Sequence, residues 1–137
     1  MWRLCLCAAL SLVSAGRVSA QAEEGHVYRV ISYRAHTEQA NDYSQAYRTE
    51  ARPVYDELVR RGSIASYLLL VKDAGSGDSS HMIMIEFPDW ASVGQFQRNI
   101  DAAARSALGR PWSASQELFL PMREMISTDL FVAPPTS

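Results

Sequence analysis

The sequence predicts an α+β domain of order β-α-β-β-α-β, a four-stranded antiparallel sheet with two helices on one face. Three observations lead there. The apolar period changes from about two to 3.6 and back, twice, between residues 26 and 132. Each helical stretch stops at a glycine, and the two middle strands are joined by a Gly/Asp/Ser loop with no helix after it.

His26 to Ala35 (HVYRVISYRA), rich in Val, Ile and Tyr, reads as the first strand. From Asn41 the spacing becomes helical, with Tyr43, Ala46, Tyr47, Ala51, Val54, Tyr55, Leu58 and Val59 on one face and Gly62 as the stop. Pro53 interrupts this pattern. It cannot donate to the Thr49 carbonyl, so one long bent helix is expected, with two shorter helices as the alternative.

Ser63 to Lys72 (SIASYLLLVK) is the second strand. Ile64, Leu68 and Leu70 fall on one side and Tyr67, Leu69 and Val71 on the other, so both faces are expected to be buried. The loop Asp73 to Ser80 leads into a third strand, His81 to Phe87 (HMIMIEF). Asp89 is the expected N-cap of a second helix whose buried stripe is Val93, Phe96, Ile100, Ala103, Ala104 and Ala107, ended by Gly109. Arg110 to Pro121 reads as irregular or as a short helix. Arg123 to Val132 (REMISTDLFV) is the last strand, with Ile126, Thr128, Leu130 and Val132 on one face, and residues 133–137 form a tail.

This order is the ferredoxin-like arrangement. A sheet that is apolar on both sides but carries helices on only one needs a second layer, and a second copy of the same sheet supplies it. The chain here resembles the dimeric α+β-barrel superfamily, in particular its small exported members. The resemblance covers about residues 27 to 132 and rests on element order, Tyr43 and Pro53 in the first helix, Leu58-Val59 and Gly62 before the second strand, and Phe87-Pro88 before the second helix. It implies a homodimer. Members of the superfamily include cofactor-free oxygenases, lactone isomerases and haem-degrading enzymes. The haem-degrading relatives are known for an iron-binding histidine on the second helix; residues 90–109 contain none, so haem is disfavoured and no cofactor is expected.

Ahead of this domain, Arg3, the apolar run Leu4 to Val13, and the small residues Val18-Ser19-Ala20 have the pattern of a signal peptide. Residues 1–20 are read as that leader, residues 21–132 as one domain, and a secreted or periplasmic location is expected. Cys5 and Cys7 both lie in the leader, so the exported form has no disulfide, cysteine metal site or thiol nucleophile. The net charge of the whole chain is −2, and the leader removes Arg3 and Arg17, leaving the domain more acidic still. With Arg60-Arg61 as its densest basic pair, the domain is a poor partner for nucleic acid. No second apolar run approaches membrane-spanning length.

Candidate chemistry is sparse. His36 follows the first strand and is the candidate general base, beside Tyr33 and Arg34. Tyr33, Tyr47, Tyr67 and Trp90 are candidates for lining an apolar pocket; packing of the core is the competing account of the tyrosines, and helix anchoring that of Trp90. His26 and His36 are ten residues apart, about 33 Å in an extended strand, too far to share an ion. The first and third strands are expected to run parallel side by side, which makes His26 and His81 neighbours at a wet sheet end, but no third ligand is near and no metal site is expected. Two readings follow: a small-molecule-binding or structural dimer, and a cofactor-free oxygenase or isomerase acting on a small apolar or aromatic substrate.

Overall fold

A computed structural model describes residues 25–72 and 80–134. Residues 1–24, which include the stretch read as a leader, residues 73–79 of the middle loop and residues 135–137 lie outside the described residues. Alternating apolar side chains make β1 (Val27–Ala35), one of two inner strands of the sheet. After a one-turn 3-10 segment (Thr37–Gln39) the chain enters α1 (Ala40–Ala46), a widened π turn (Tyr47–Ala51) and α2 (Arg52–Arg60) without a break. The long bent helix is thus observed, and its physical cause is visible. Ahead of Pro53, Arg52 N–H donates to the Tyr47 carbonyl five residues back, so the helix widens where the proline cannot donate. Gly62 closes α2 at φ +68°. There Ser63 N–H reaches the Leu58 carbonyl at 3.0 Å and Gly62 N–H reaches Val59 at 2.9 Å, the paired bonds of a Schellman ending.

The remaining elements are β2 (Ser66–Val71), β3 (His81–Phe87), α3 (Trp90–Leu108), α4 (Trp112–Phe119) and β4 (Arg123–Val132). The Asp89 carboxylate caps α3 by accepting from Ser92 N–H at 2.7 Å. The segment read as irregular or a short helix is the helix α4. Strand order is β2-β3-β1-β4, with all neighbours antiparallel. The fold is α+β and ferredoxin-like.

Burial in β3 alternates strictly. His81, Ile83, Ile85 and Phe87 are buried against the helices, and Met82, Met84 and Glu86 point the other way. Val27, Ile31, Val54, Leu58, Ile100 and Phe119 join the first set in the core. Full burial of one such side chain is worth about 1.5–3 kcal/mol. Ala103 and Ala104, both fully buried, give α3 a smooth face where it packs on α2.

Two sequence expectations about the sheet need correction. The first and third strands are antiparallel, with Val27 opposite Phe87 and Tyr33 opposite His81. His26 and His81 therefore stand at opposite ends of the pair, roughly 24 Å apart at about 3.4 Å per residue, and cannot be neighbours. On β2 the single chain covers one face with its helices and leaves the other open, with Leu68 and Leu70 47% and 44% exposed, the side for which a second copy is expected. Finally, β4 does not alternate throughout. Ser32 pairs with Ser127 and Tyr33 with Met125, which leaves Ile126 as the extra residue of a bulge.

The face away from the helices reads in rows across the sheet. Ser66, Glu86, Tyr28 and Phe131 form one, Leu68, Met84, Val30 and Asp129 the next, and Leu70, Met82, Ser32 and Ser127 a third. In the first row the Glu86 carboxylate accepts from Ser66 at 2.5 Å and Tyr28 at 3.1 Å, and also pairs with His26. These partners hold its carboxyl below the ordinary carboxylate range, Ser66 contributing most.

Candidate functional site

The β4 bulge decides what faces the helices near the carboxyl end of β1. Thr128 and Leu130 lie opposite Ile31 and Arg29 on the helix-covered side. Beyond Ile126 the parity inverts, so Met125 and Arg123 come onto that same side, opposite Tyr33 and Ala35. Without the extra residue both would point to the open face.

Helix α4 roofs this end of the sheet and is pinned at two points. Trp112 N–H donates to Asp101 of α3 at 3.1 Å. Ser115 donates at 2.9 Å to Glu50 of the π turn, which also pairs with Arg110. Below α4 lies a cavity of about 360 Å³ walled by Tyr33, Gln116, Phe119, Leu120, Arg123 and Met125, with Ser113 and the exposed Glu117 at its rim. An adjoining space of about 180 Å³ shares Tyr33, Gln116, Arg123 and Met125 and runs inward between Trp112, Tyr55, Phe96 and Arg29.

Arg123 is the centre of this region. Its guanidinium lies 3.8 Å from the Tyr33 ring centre and 4.4 Å from that of Phe119, and it donates to the Tyr43 hydroxyl at 2.9 Å. Tyr43, fully buried, meets the His81 ring edge-on at 4.6 Å. His81 is itself buried, with Nδ1 2.8 Å from Ser80 Oγ, which accepts from Ala35 N–H at 2.8 Å. Burial above all, and then the charge of Arg123, holds the His81 imidazole below its ordinary pKa, so it is neutral at neutral pH. It lies behind Tyr43 and lines neither cavity. The reading of His81 as a residue at a wet sheet end is therefore overturned.

Of the residues singled out in the sequence, Tyr33 lines both cavities, buried to 6% exposure, with its hydroxyl pKa raised chiefly by that burial. Tyr47 is buried on the π turn, its hydroxyl without a partner and pushed up to about 12 by desolvation, and it lines neither cavity. Tyr67 stacks on Tyr55 at 5.0 Å and donates to Asp56 at 2.6 Å, on the β2 side of the helices. Trp90 opens α3 half-exposed, away from both cavities. His36 is exposed and borders a separate open depression with Arg34, Thr37, Glu38 and Pro121, while its backbone N–H donates to the Met122 carbonyl at 3.0 Å. The structure does not bring His36 together with the tyrosines. Arg123, Gln116, Met125 and Trp112 are site residues that sequence reasoning missed. Among the described residues no three metal-ligating groups cluster, and no helix is long and apolar enough to cross a membrane.

Solved structures share this architecture. HapK from Hahella chejuensis superimposes with a TM-score of 0.59 at 11% identity, over 81% of this chain and 95% of its own. SnoaB, a cofactor-independent oxygenase from Streptomyces nogalater, gives 0.52 at 18% identity over 82% and 96%. A dimeric protein of unknown function with a ferredoxin-like fold from Bacteroides fragilis gives 0.53 at 10% over 80% and 97%. The chain has the ferredoxin-like α+β fold of these proteins. Identities this low speak to the architecture of the ferredoxin-like domain and leave its chemistry to its own residues. No protein-family model and no curated protein sequence matches the chain.

Proposed function

We propose that this chain is an exported α+β-barrel domain that assembles as a homodimer and binds a small, largely apolar molecule beneath α4. The observation that carries the reading is the cavity itself, walled by Tyr33, Phe119 and Met125 and joined to a space edged by Trp112 and Tyr55, with the half-buried Arg123 and the exposed Gln116 as polar groups bordering both. Aromatic walls with a few oriented polar groups are the usual make-up of a small-molecule site. Support for the dimer comes from the open sheet face, where Leu68 and Leu70 are nearly half exposed beside Met82, Met84 and Val30, and from the dimeric state stated for the Bacteroides fragilis neighbour. Residues 1–20 supply the export signal.

An enzyme of the cofactor-independent oxygenase or isomerase type is the second reading, favoured by the likeness to SnoaB. It requires a base, and the candidate His36 borders a different depression from the aromatic cavity. The binding reading accounts for more of the site.

Calorimetric titration of the purified full chain with 2-naphthamide, a neutral planar probe, tests the cavity. Binding by the wild type and its loss in Met125→Trp is the expected result. Met125 lines both spaces yet is 57% exposed, so the larger ring is accommodated while obstructing them. Equal binding by the two proteins would remove the assignment.

A further inference from the structure

The charges around this cavity do not balance. Arg34, Arg52, Arg60, Arg61, Arg105 and Arg110 each stand within 4.0 Å of a carboxylate, and Arg48 and Arg98 are exposed to water. Arg29 and Arg123 are different. Both are half-buried, both line the inner space beneath α4, and neither has a carboxylate within that distance among the described residues. Arg29 lies over the rings of Phe87 and Phe96 at 5.5 and 5.0 Å. Arg123 lies over Tyr33 and Phe119, and among the described residues only one of its N–H donors, that to the Tyr43 hydroxyl, finds an acceptor.

Aromatic faces stabilise a guanidinium by about 0.5–2 kcal/mol, but they do not neutralise it. Withdrawing a charge from water costs several kcal/mol unless it is paired, and two like charges bordering one low-dielectric space raise that cost. An anion in the cavity relieves both. Nor do the cavity walls offer an internal one: Glu117, the single carboxylate on them, is exposed at the outer rim, and Glu50 is engaged by Arg110 and Ser115.

Resting on the binding function proposed above, we infer that the ligand is a planar organic anion whose carboxylate or comparable oxyanion is held by Arg123, while its apolar body lies among the rings beneath α4. Arg123 is the principal anchor because it borders both spaces, and its free N–H groups suit two-point recognition of a carboxylate. Arg29, bordering only the inner space, adds to the attraction without being the primary contact.

The test compares 2-naphthoate, ionised at neutral pH, with 2-naphthamide, its neutral counterpart of nearly equal shape, by titration calorimetry of the full chain. The wild type is expected to bind the carboxylate at least tenfold more tightly. Arg123→Met should abolish the preference, so that the carboxylate and the amide bind alike, and Arg123→Lys should keep part of it. Arg29→Met, expected to reduce the preference partially, keeps the inference testable if Arg123→Met does not fold. Equal binding of the two probes by the wild type overturns the anion inference and leaves the cavity standing. A preference undiminished in Arg123→Met and in Arg29→Met overturns the anchor. Binding of neither probe overturns the cavity and the inference together.

Discussion

Replacement of Leu68 by Asp addresses the assembly most directly. Leu68 stands at the β2 end of the middle row on the open sheet face, 47% exposed, with Met84 beside it and Val30 beyond. Covering the exposed half of a leucine is worth about 1 kcal/mol, on a scale of about 1.5–3 for full burial. Two-fold symmetry places the residue in the interface twice, so about 2 kcal/mol is forfeited per dimer. Two unpaired carboxylates then enter a largely apolar contact, with a penalty of roughly 3–5 kcal/mol for an uncompensated buried charge. The dissociation constant should rise at least a thousandfold, since each 1.4 kcal/mol is about a factor of ten. In a single chain the side chain is half in water, so the variant should stay folded. Sedimentation velocity should show a wild-type dimer at micromolar concentration and a Leu68→Asp monomer with an unchanged circular dichroism spectrum. Val59→Asp, on the solvent side of α2 at 39% exposure, is the control that should remain dimeric. A monomeric wild type, or a Leu68→Asp dimer of undiminished affinity, would refute the sheet-to-sheet assembly.

Intact-mass measurement of exported protein should place its first residue at Gln21, because Val18 and Ala20 provide the small side chains that signal peptidase requires; material retaining residues 1–20 would overturn this. His81 should give stability a dependence on pH. Its folded pKa lies below 6.5, so the unfolded chain takes the proton first; the stabilisation is complete above about 6.5 and is lost as pH falls through the depressed folded value. Thermal unfolding followed from pH 8 to 5 should show that decline in the wild type and less of it in His81→Phe, while the Glu86 carboxyl contributes only below about 4.5. The same slope in both proteins would exclude His81 as its source.

What the sequence disclosed about the fold follows from how strongly each element is patterned. The helix through Tyr43, Val54 and Leu58 announces itself by spacing, and Pro53 and Gly62 announce its bend and its end, because one lacks an N–H and the other accepts a positive φ. Apolar residues on both parities of β2 pointed to a second layer, and the single chain leaves Leu68 and Leu70 uncovered on the side away from its helices. Strand direction was another matter. Which way β3 runs beside β1 is set by the path of the connections, and no residue in HMIMIEF encodes it, which is why His26 and His81 were placed together in error. His81 gave no sign of burial either, since a histidine opening a strand is equally at home in water until Tyr43 and Ser80 are known to flank it.

The cavity was the least legible part because it depends on an exception to strand alternation. Read by parity, REMISTDLFV puts Ile126, Thr128, Leu130 and Val132 together and sends Arg123 and Met125 to the opposite face. One unpaired residue, Ile126, reverses that for everything before it, and a guanidinium that would have stood on the open sheet face lies instead over Tyr33 and Phe119. Nothing in the residue types of that stretch signals the bulge, since it contains neither the glycine nor the proline that commonly marks an interrupted strand. The same reversal explains why the tyrosines alone were an incomplete guide to the site. They are spaced to fill the layer between helix and sheet, and Tyr43, Tyr47 and Tyr55 do fill it as core. Tyr33 lines the open cavity as well, because it pairs with Met125 where the register shifts and Arg123 covers its ring. A charge brought into an aromatic layer by one extra residue distinguishes this end of the sheet from ordinary core, and it is the observation on which the inferred preference for an anion over a neutral molecule of the same shape rests.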